Sequence, residues 1–595
     1  MANMQPRYSK IRGESMITSK KINTIIVIAV VFALIISIAL VVYGNIYNEN
    51  SDMKTAPEYA TNIFGTDIIS IEIIADEAEW QEMLDNATSE QYIMADVVIN
   101  GMKLENVGIR PKGNSSLTQV ASSDSNRYSF RLQFDEYIKD QTCFGLDSFV
   151  VNNMLGDNTY MKEYVSYEIM REVGVDAPYF GFADIKVNGE GWGLYLAVET
   201  YGDSYEARTF GTTGGMMYNV KSMDMGDNNN KGNEMPQGNV LPPTTVQGEQ
   251  TERSNFNFSS RMGNRGGNGG SLEYTTDEVS SYSAIFDNVV GKGDEGDFNR
   301  VITALEALSE GENLETYFDI DQILRYLAAH TVVVNLDSYS SSMAQNYYIY
   351  ENNGKVTILP WDYNLAWGGF QSGSASSVIN FPIDSPVSGV EMSSRPLLEN
   401  LFSNTSYLER YHGYLQELMT NYFTDGKWDE KITKLDALIS DYVKNDSTAF
   451  CTFEEYETAV EAFKTLGDLR YQSIQGQLDG TVPSTTAKQT ANPDKLISAR
   501  DLNLNSLGSM MGGGNRGEVG KSPMGNGFQQ RPNNNLQDPA SNNTKITPDK
   551  DTASIAFDMQ TTNITTITEN LVIYSGLFAI VLLLTLIVAK KKRNY

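Results

Sequence analysis

The sequence predicts an α+β protein in which mainly antiparallel strands come first and helices follow, with a long apolar segment near each end. Three observations support this class. Short alternating runs separated by Asn-Gly turns fill the part before residue 222, and such runs are typical of antiparallel strand pairs. Helical spacing of apolar residues dominates 273–480. Two apolar stretches, 24–43 and 571–589, are long enough to cross a bilayer.

The strand predictions for the first part come from alternation and from turns. Residues 68–74 alternate apolar and polar side chains, which is typical of a half-buried strand. Asn100-Gly101 separates two strand-forming runs in YIMADVVINGMKLENVGIRPKGNSS, and this dipeptide favours a tight hairpin turn. The remaining predictions for this part are a helix at 77–86, a strand at 128–134, a helix at 160–173 and a strand pair within FADIKVNGEGWGLYLAVET.

The second part is predicted to be mainly helical apart from one hairpin at 346–360. In DIDQILRYLAAHTVVVNLD the spacing predicts a helix that runs into an apolar, strand-like stretch. Further helices are predicted at about 396–424, 430–445 and 453–479.

The charges beside the two apolar stretches predict a cell-membrane protein. Basic residues precede the first stretch and 590–593 is a basic run after the second, so the positive-inside rule places both termini in the cytoplasm and the central domain outside. A cleaved signal peptide is the alternative for the first stretch. The predicted segments are a cytoplasmic tail (1–23), a transmembrane helix (24–43), a stalk (44–65), the two parts of one domain (66–222 and 273–480), a disordered Gly/Asn/Met-rich insertion between them (223–272), a low-complexity linker (481–570), a transmembrane helix (571–589) and a basic cytoplasmic tail (590–595).

Composition excludes several classes of function. The 595 residues carry a formal net charge of −30, from 75 acidic and 45 basic side chains. Because nucleic-acid binding requires a basic surface, this balance argues against a nucleic-acid partner. The two cysteines, Cys143 and Cys451, exclude a disulfide framework and a cysteine-based zinc site; they are either two unrelated buried thiols or a pair. No Ser-His-Asp arrangement stands out.

The stretch NYYIYENNGKVTILPWDYNLAWGGF places an acidic residue at the end of a predicted hairpin. Residues 347–350 and 356–359 are short strand-forming runs, and Asn352-Asn353-Gly354 tolerates the positive φ angles of a tight turn. Asp362 follows the second strand between two large aromatic residues. Because a hairpin brings the chain back on itself, Asn346 and Asp362 should lie at the same end of the two strands.

Asp337 lies in the loop before this hairpin and can reach the same end. Two carboxylates and one carboxamide, with no histidine or thiol, form an oxygen-only set that suits magnesium, manganese or calcium. An acid, an asparagine, a hairpin and a second acid follow the order that protein kinases use in phosphoryl transfer, although no HRD or DFG motif is present. Taken singly, Asp337 could cap a helix starting at Ser338, and Asp362 could be an ordinary turn acid.

The motifs PWDYNLAWGG, NLDSYSSSMAQNYYIY and RPKGNSS are similar to those of the CotH family of spore-coat atypical protein kinases, over about 66–480. This resemblance implies a divergent protein-kinase-like two-lobe fold that phosphorylates Ser or Thr of extracytoplasmic or coat proteins with ATP and Mg²⁺ or Mn²⁺. By motif match, Asp362 is the metal-binding catalytic acid, Asp337 the catalytic-loop acid and Asn346 the second metal ligand. The competing candidates for that second ligand are Asn335 and Asn364.

The nucleotide is expected at the RPKGNSS motif, which lies at a predicted strand end. Its Gly and Ser residues let backbone N–H groups approach phosphates, and its basic residues could meet their charge; a simple turn is the alternative. Arg131 stands where the family tends to have lysine, and the two side chains differ as phosphate ligands. Glu199 could touch the nucleotide from an inter-lobe connection or be a solvated strand-end acid. The predicted nucleotide-binding residues are Arg110, Lys112, Ser115, Arg131, Glu199 and Lys221.

Two functions are consistent with these residues. The first is a membrane-anchored kinase whose partners are ATP, a protein with Ser or Thr hydroxyls and the lipid bilayer. The second is a catalytically silent, cation-binding surface adhesion or interaction module. The ordered acids favour the first, and the arginine at the lysine position favours the second. A carboxylate-pair glycosidase is a distant third, because nothing marks a sugar cleft.

Overall fold

The computed structural model describes residues 56–221, 268–500 and 502–510, and seven strands of its first part close into a barrel. The strands of the described chain are β1 (Ile69–Ile74), β2 (Ile93–Ile99), β3 (Met102–Lys112), β4 (Ser129–Gln133), β5 (Ser148–Asn152), β6 (Phe180–Val187), β7 (Glu190–Glu199), β8 (Met216–Val220), β9 (Tyr347–Asn352) and β10 (Lys355–Pro360). The order around the barrel is β1-β2-β3-β4-β5-β7-β6. Neighbouring strands are antiparallel except β6 and β1, whose parallel pairing sets Ile71 opposite Ile185 and closes the barrel.

Alternation along the barrel strands divides their side chains between two hydrophobic cores. Ile69, Ile71 and Ile73 of β1 belong to the core inside the barrel. On β5 and β7, Val150 and Leu196 belong to a second core, which the helices share. Because successive side chains of a strand point to opposite faces, one side of the barrel is buried on both its inner and its outer face.

The prediction of a protein-kinase-like two-lobe fold is wrong. The strands of the first part do not form the expected antiparallel lobe; they form a closed barrel that depends on the parallel pairing of β1 with β6. The physical reason is that alternation shows which face of a strand is apolar, but not whether the first strand pairs with one much later in the chain. Closure removes both sheet edges, which would otherwise expose unpaired backbone groups.

The helices of the described chain lie mostly after the barrel strands. They are α1 (Glu58–Asn62), α2 (Glu77–Asp85), α3 (Ser115–Ala121), α4 (Lys162–Glu172), α5 (Asp203–Phe210), α6 (Ser283–Phe286), α7 (Glu295–Glu310), α8 (Leu314–Tyr317), α9 (Ile320–Val333), α10 (Ala375–Ile379), α11 (Pro396–Ser403), α12 (Thr405–Leu418), α13 (Lys427–Asn445), α14 (Phe453–Leu478) and α15 (Thr486–Ala491). Every residue from Tyr326 to Val333 in α9 is buried. The apolar stretch predicted to be strand-like is therefore the end of a core helix that has no polar face there.

A second sheet has the order β10-β9-β8 and is antiparallel throughout. Its β9–β10 pair is the predicted hairpin, with Pro360 opposite Tyr347. Asn353 and Gly354 in the turn have φ angles of 53° and 84°, the left-handed values that a tight hairpin turn requires. The sheet therefore brings the residues before β9 and after β10 to one end.

The predicted membrane localisation finds no support in the described helices. In residues 56–221, 268–500 and 502–510, no helix combines the length and the apolar character needed to cross a bilayer. The physical reason is that the described helices use their apolar residues to pack against the two cores. The two segments predicted to span the membrane, 24–43 and 571–589, lie outside the described residues.

The folded body includes residues that the sequence assigned to the stalk and to the linker. Tyr59 of α1 is 1% exposed and belongs to the barrel core. Residues 481–500 and 502–510 pack on the body, while most of the predicted insertion lies outside the described residues. Cys143 and Cys451 are both free thiols.

Candidate active site

The end of α9 presents Asp337 to the hairpin. Val334, directly after α9, has a left-handed φ of 51°, which ends the helix and turns the chain toward the hairpin. The Nδ2 atom of Asn346 donates to both the Oδ2 and the backbone oxygen of Asp337, at 2.9 Å each. The Nε2 atom of Gln345 donates to Asp337 Oδ1 at 3.1 Å. Two side-chain amides therefore fix the orientation of this carboxylate.

Asp362 follows β10 in a conformation held by its backbone. Its φ is 63°, a left-handed value that is uncommon outside glycine and that concentrates at functional sites. Its N–H donates to the Tyr167 hydroxyl at 3.2 Å, and its carbonyl accepts from Asn335 Nδ2 at 3.2 Å. Since the main chain makes these bonds, the carboxylate remains available for chemistry.

Glu163, in the first turn of α4, is a third acid at this site that the sequence analysis missed. It is 3% exposed, and its Oε1 lies 3.5 Å from the backbone N–H of Tyr363, the residue after Asp362. Burial and the charge of Asp362 raise the pKa of Glu163 to about 7. Acidic residues are common in the first turn of helices because they interact favourably with the helix dipole, so no sequence signal distinguished Glu163.

The three carboxylates are electrostatically coupled through Asp362. Burial, and then the charge of Asp362, raise the pKa of Asp337 to about 7. Burial also raises the pKa of Asp362 itself, while the nearby Lys112 ammonium lowers it. Glu163 is buried and the two aspartates are half-buried, and like charges held together with so little solvent favour a bound proton or a bound cation. A divalent metal bound here would therefore reduce the repulsion among these carboxylates.

The chemistry of the donors fits a hard cation. Among the described residues, no three His, Cys, Asp or Glu side chains are close enough to hold a metal by themselves. Asp362 and the Oδ1 atom of Asn346 would supply oxygen ligands, and Mg²⁺ typically takes its other ligands from phosphate and water. Both polar groups of Asn335 are engaged, since its Oδ1 accepts from Asp337 N–H. This engagement favours Asn346 over Asn335 as the second ligand.

A row of cations lies on the outer face of the barrel, and one of them, Lys112, lies beside Asp362 and Glu163. Arg110 of β3 is directly opposite Arg131 of β4, and Lys112 is two residues further along β3, so all three share one face. Lys112 Nζ donates to Asn152 Oδ1 at 2.9 Å, and Asn152 Nδ2 donates to Glu163 Oε2 at 2.8 Å. The asparagine thus links the lysine to the acid of α4.

The other two members of this row are held by neighbouring polar groups. Arg110 forms an ion pair with Glu90. Arg131 donates from Nε to Gln133 at 3.0 Å and from Nη2 to Ser148 at 3.3 Å.

Three predicted nucleotide-binding residues are not brought into this row. Glu199 is fully buried in an ion pair with Arg208 and accepts a 2.7 Å hydrogen bond from the Tyr59 hydroxyl. Ser115 is exposed at the start of α3. Lys221 follows β8, whose last carbonyl, at Val220, accepts from the N–H of Asn346 at 3.1 Å. The backbone of Lys221 therefore lies near Asn346.

A buried histidine supports both acid-bearing loops from behind. His330 of α9 is hydrogen-bonded through Nδ1 to the Tyr363 hydroxyl at 2.8 Å and through Nε2 to Ser340 at 3.0 Å. Tyr363 follows Asp362, and Ser340 lies in the loop after Asp337. This network ties the two loops together. Burial lowers the pKa of His330 to about 3.

The lowered pKa of His330 predicts acid-sensitive stability. Below the unfolded-state pKa of about 6.5 the unfolded chain takes up a proton at this residue and the folded protein does not. Between pH 6.5 and about 3 we therefore expect His330 to lower the unfolding free energy by about 1.4 kcal/mol for each unit by which the pH falls. Urea unfolding at pH 7 and pH 5 checks this, because His330→Gln should lose less stability than the wild type over that interval. Equal losses in both proteins would contradict it.

Comparison with known proteins identifies relatives that share this region. A family model described as CotH kinase protein matches residues 109–474. The inner spore coat protein H of Bacillus subtilis (strain 168) is 22% identical over 332 residues, which cover 55% of this chain and 78% of that protein. The matched family region contains the three acids, Asn346 and the cation row, whereas β1, β2 and the residues after 474 lie outside it.

Proposed function

The chain belongs to the CotH family, whose model covers more than half of it, and from this premise we propose that it transfers the γ-phosphoryl group of ATP to a Ser or Thr hydroxyl of a protein. One observation carries the proposal: the half-buried carboxylates Asp337 and Asp362 lie close enough to affect each other's charge, and Lys112 lies beside Asp362. Phosphoryl transfer needs this pairing of acids, for a metal and an attacking hydroxyl, with cations for the phosphates.

Each residue has a definite role in this proposal. Asp337 accepts the proton of the attacking hydroxyl, and its two amide partners hold it in one orientation. Asp362 and Asn346 hold a Mg²⁺ or Mn²⁺ ion, which when bound supplies positive charge to the phosphate oxygens. Lys112 and Arg131 meet the phosphates from the barrel face. Catalysis then consists of positioning and electrostatic stabilisation, as in other phosphoryl transfers.

The name of the Bacillus subtilis relative, a spore coat protein, supports a proposal for the substrate class. We propose that the accepting hydroxyl belongs to a coat or surface protein. The net charge of −30 favours a substrate segment without a large negative charge of its own, because like charges oppose association.

A cation-binding module without transfer activity is the second candidate. The observation that favours it is the position of Lys112, whose ammonium bonds to the amide of Asn152 and not directly to the carboxylate of Glu163. Protein kinases use a direct lysine–glutamate ion pair in the active state, and Lys112 and Glu163 make no such direct contact.

An assay with labelled ATP separates the two candidates. The full chain is incubated with Mg²⁺ or Mn²⁺, and label is followed on the chain itself and on a Ser- and Thr-containing protein that carries no large negative charge. Label on either protein supports the kinase. No label with either metal, together with a melting temperature that the metal raises, supports the binding module.

Replacing Lys112 with methionine should raise the KM for ATP about tenfold, because a hydrogen bond to a charged group contributes roughly 1.5–3 kcal/mol and 1.4 kcal/mol is tenfold. Steady-state kinetics with varied ATP measures this. Lys139→Met, at a lysine whose side chain is 91% exposed, is the control and should leave the KM unchanged. A Lys112→Met enzyme with the wild-type KM would remove Lys112 from the nucleotide site.

A further inference from the structure

The last described residues of the chain, 502–510, form a segment that we call the terminal strap. It lies outside the region matched by the family model. Leu507 is 1% exposed in the core that the helices share. The N–H of Asn158 donates to the carbonyl of Leu507, and Asn158 Nδ2 donates to the carbonyl of Ser506, both at 3.1 Å. The strap is thus held by the buried side chain of Leu507 and by two hydrogen bonds that its backbone carbonyls accept from Asn158.

The strap contacts both loops that carry the catalytic acids. Met510 packs against a cluster of Met343, Leu365 and Phe370. Met343 lies between Asp337 and Asn346, and the other two follow Asp362 in sequence. One short segment therefore bridges the two loops whose relative position sets the distance between the acids.

Lys162 ties the strap to the third acid. This lysine is fully buried, and its Nζ donates to the carbonyls of Gly156 and Gly508, at 3.0 Å each. It begins α4 and immediately precedes Glu163. A buried ammonium needs every available acceptor, with Asp157 as its nearby counter-charge. Loss of the strap carbonyl would leave the first turn of α4 to rearrange, and Glu163 with it.

Gly508 is the point where the strap comes closest to the body. Its φ is 81°, and a Cβ atom there would lie 2.9 Å from the backbone nitrogen of Asn158 and 2.9 Å from the carbonyl oxygen of Gly156. Only glycine fits a contact of this kind, so one added methyl group at this position would displace the strap from the body.

We propose that the terminal strap is a positioning element of the active site, with Lys162 as the positioning residue that connects it to the acids. The strap does not touch the reacting atoms. It acts by holding the loops of Asp337 and Asp362 and the first turn of α4 in the one arrangement that binds a divalent cation. This inference rests on the proposed function only for its activity readout, since cation binding can be measured without phosphate transfer.

The test compares Gly508→Ala and Lys162→Met with Gly480→Ala in the full chain. Gly480 has a similar φ of 76° but open space around its Cβ position, so its variant reproduces the backbone strain without the clash. In the two strap variants, the Mn²⁺ concentration for half-maximal stabilisation against heat, without ATP, should rise about tenfold, as for residues that orient metal ligands. The control should match the wild type. In the kinase assay the Mn²⁺ requirement should rise in parallel while the KM for ATP is unchanged.

Two outcomes would overturn the inference. Strap variants that melt at a lower temperature but keep the wild-type response to Mn²⁺ have lost stability only, and the strap is then merely structural. A wild type whose melting temperature ignores Mn²⁺ overturns the inference as well. By contrast, a wild type that binds Mn²⁺ but transfers no phosphate contradicts the proposed function alone, and the melting curves still test the strap.

Discussion

Replacing Asp362 with asparagine is expected to lower kcat for phosphate transfer by about 10³-fold, the loss typical when one preorganised electrostatic group is removed from an active site. Asparagine keeps the shape of the side chain but removes the charge that would hold the metal. Asp362 is the shared neighbour of Asp337, Glu163 and Lys112 in the electrostatics of the site. The pKa values of Asp337 and Glu163 should therefore fall in this variant, since the charge of Asp362 contributes to raising both.

The variant should nevertheless fold. The hydrogen bonds from Asp362 N–H to Tyr167 and from Asn335 to the Asp362 carbonyl involve only the main chain, so asparagine preserves them. Steady-state kinetics at saturating ATP, together with a thermal melt, measures both parts of the prediction. Asp140→Asn, at an acid whose side chain is 83% exposed, is the matched control for the removal of one negative charge. A rate within error of the wild type would remove Asp362 from the chemistry.

Replacing Arg127 with methionine is expected to destabilise the protein by about 3–5 kcal/mol, because it leaves a buried carboxylate without its counter-charge. Arg127 precedes β4, and Asp446 follows α13; their side chains are 0% and 1% exposed, and Nη1 lies 2.6 Å from Oδ2. Arg127 also donates to the backbone carbonyls of Asn153 and Leu194. The pair thus joins the barrel to the helices at a place that water does not reach.

Urea unfolding of a double-mutant cycle measures this effect. Asp446→Asn in the Arg127→Met background should recover part of the loss, because the asparagine no longer buries a charge. Lys139→Met, which removes a lysine from an exposed ion pair with Asp140, should change the unfolding free energy by no more than about 0.5 kcal/mol. Equal effects of Arg127→Met and Lys139→Met would show that the buried pair makes no special contribution.

Local sequence information was sufficient for the hairpin that carries Asp362. The turn residues Asn353 and Gly354 adopt the positive φ angles that their side chains tolerate, and the register sets Pro360 opposite Tyr347. Asp362 and Asn346 then lie at one end by geometry alone. The contact of Asn346 with Asp337 is equally local in sequence, and the catalytic roles of these residues remain predictions that the experiments above test.

Long-range contacts of the site had no comparable signal. Glu163 joins it because α4 packs beside Asp362, and Lys112 reaches it through Asn152 on another strand. Glu199, for which the sequence left a nucleotide contact and a solvated strand-end position open, pairs with Arg208 inside the fold. A strand-end acid looks the same in sequence whether it meets a ligand or an arginine, because its partner is chosen by packing.

The sequence by itself determined the local elements: the alternating strands, the amphipathic helices, the hairpin with its left-handed turn, and the motifs that resemble the CotH family. Only the tertiary structure decided that the strands of the first part close into a barrel through β1 and β6, that a lysine, an asparagine and a third acid connect the barrel to the hairpin, and that the terminal strap packs beneath both loops. The physical reason is that propensity and periodicity act over a few residues, whereas barrel closure and burial of charge depend on which distant surfaces remain to be covered once the local elements have formed.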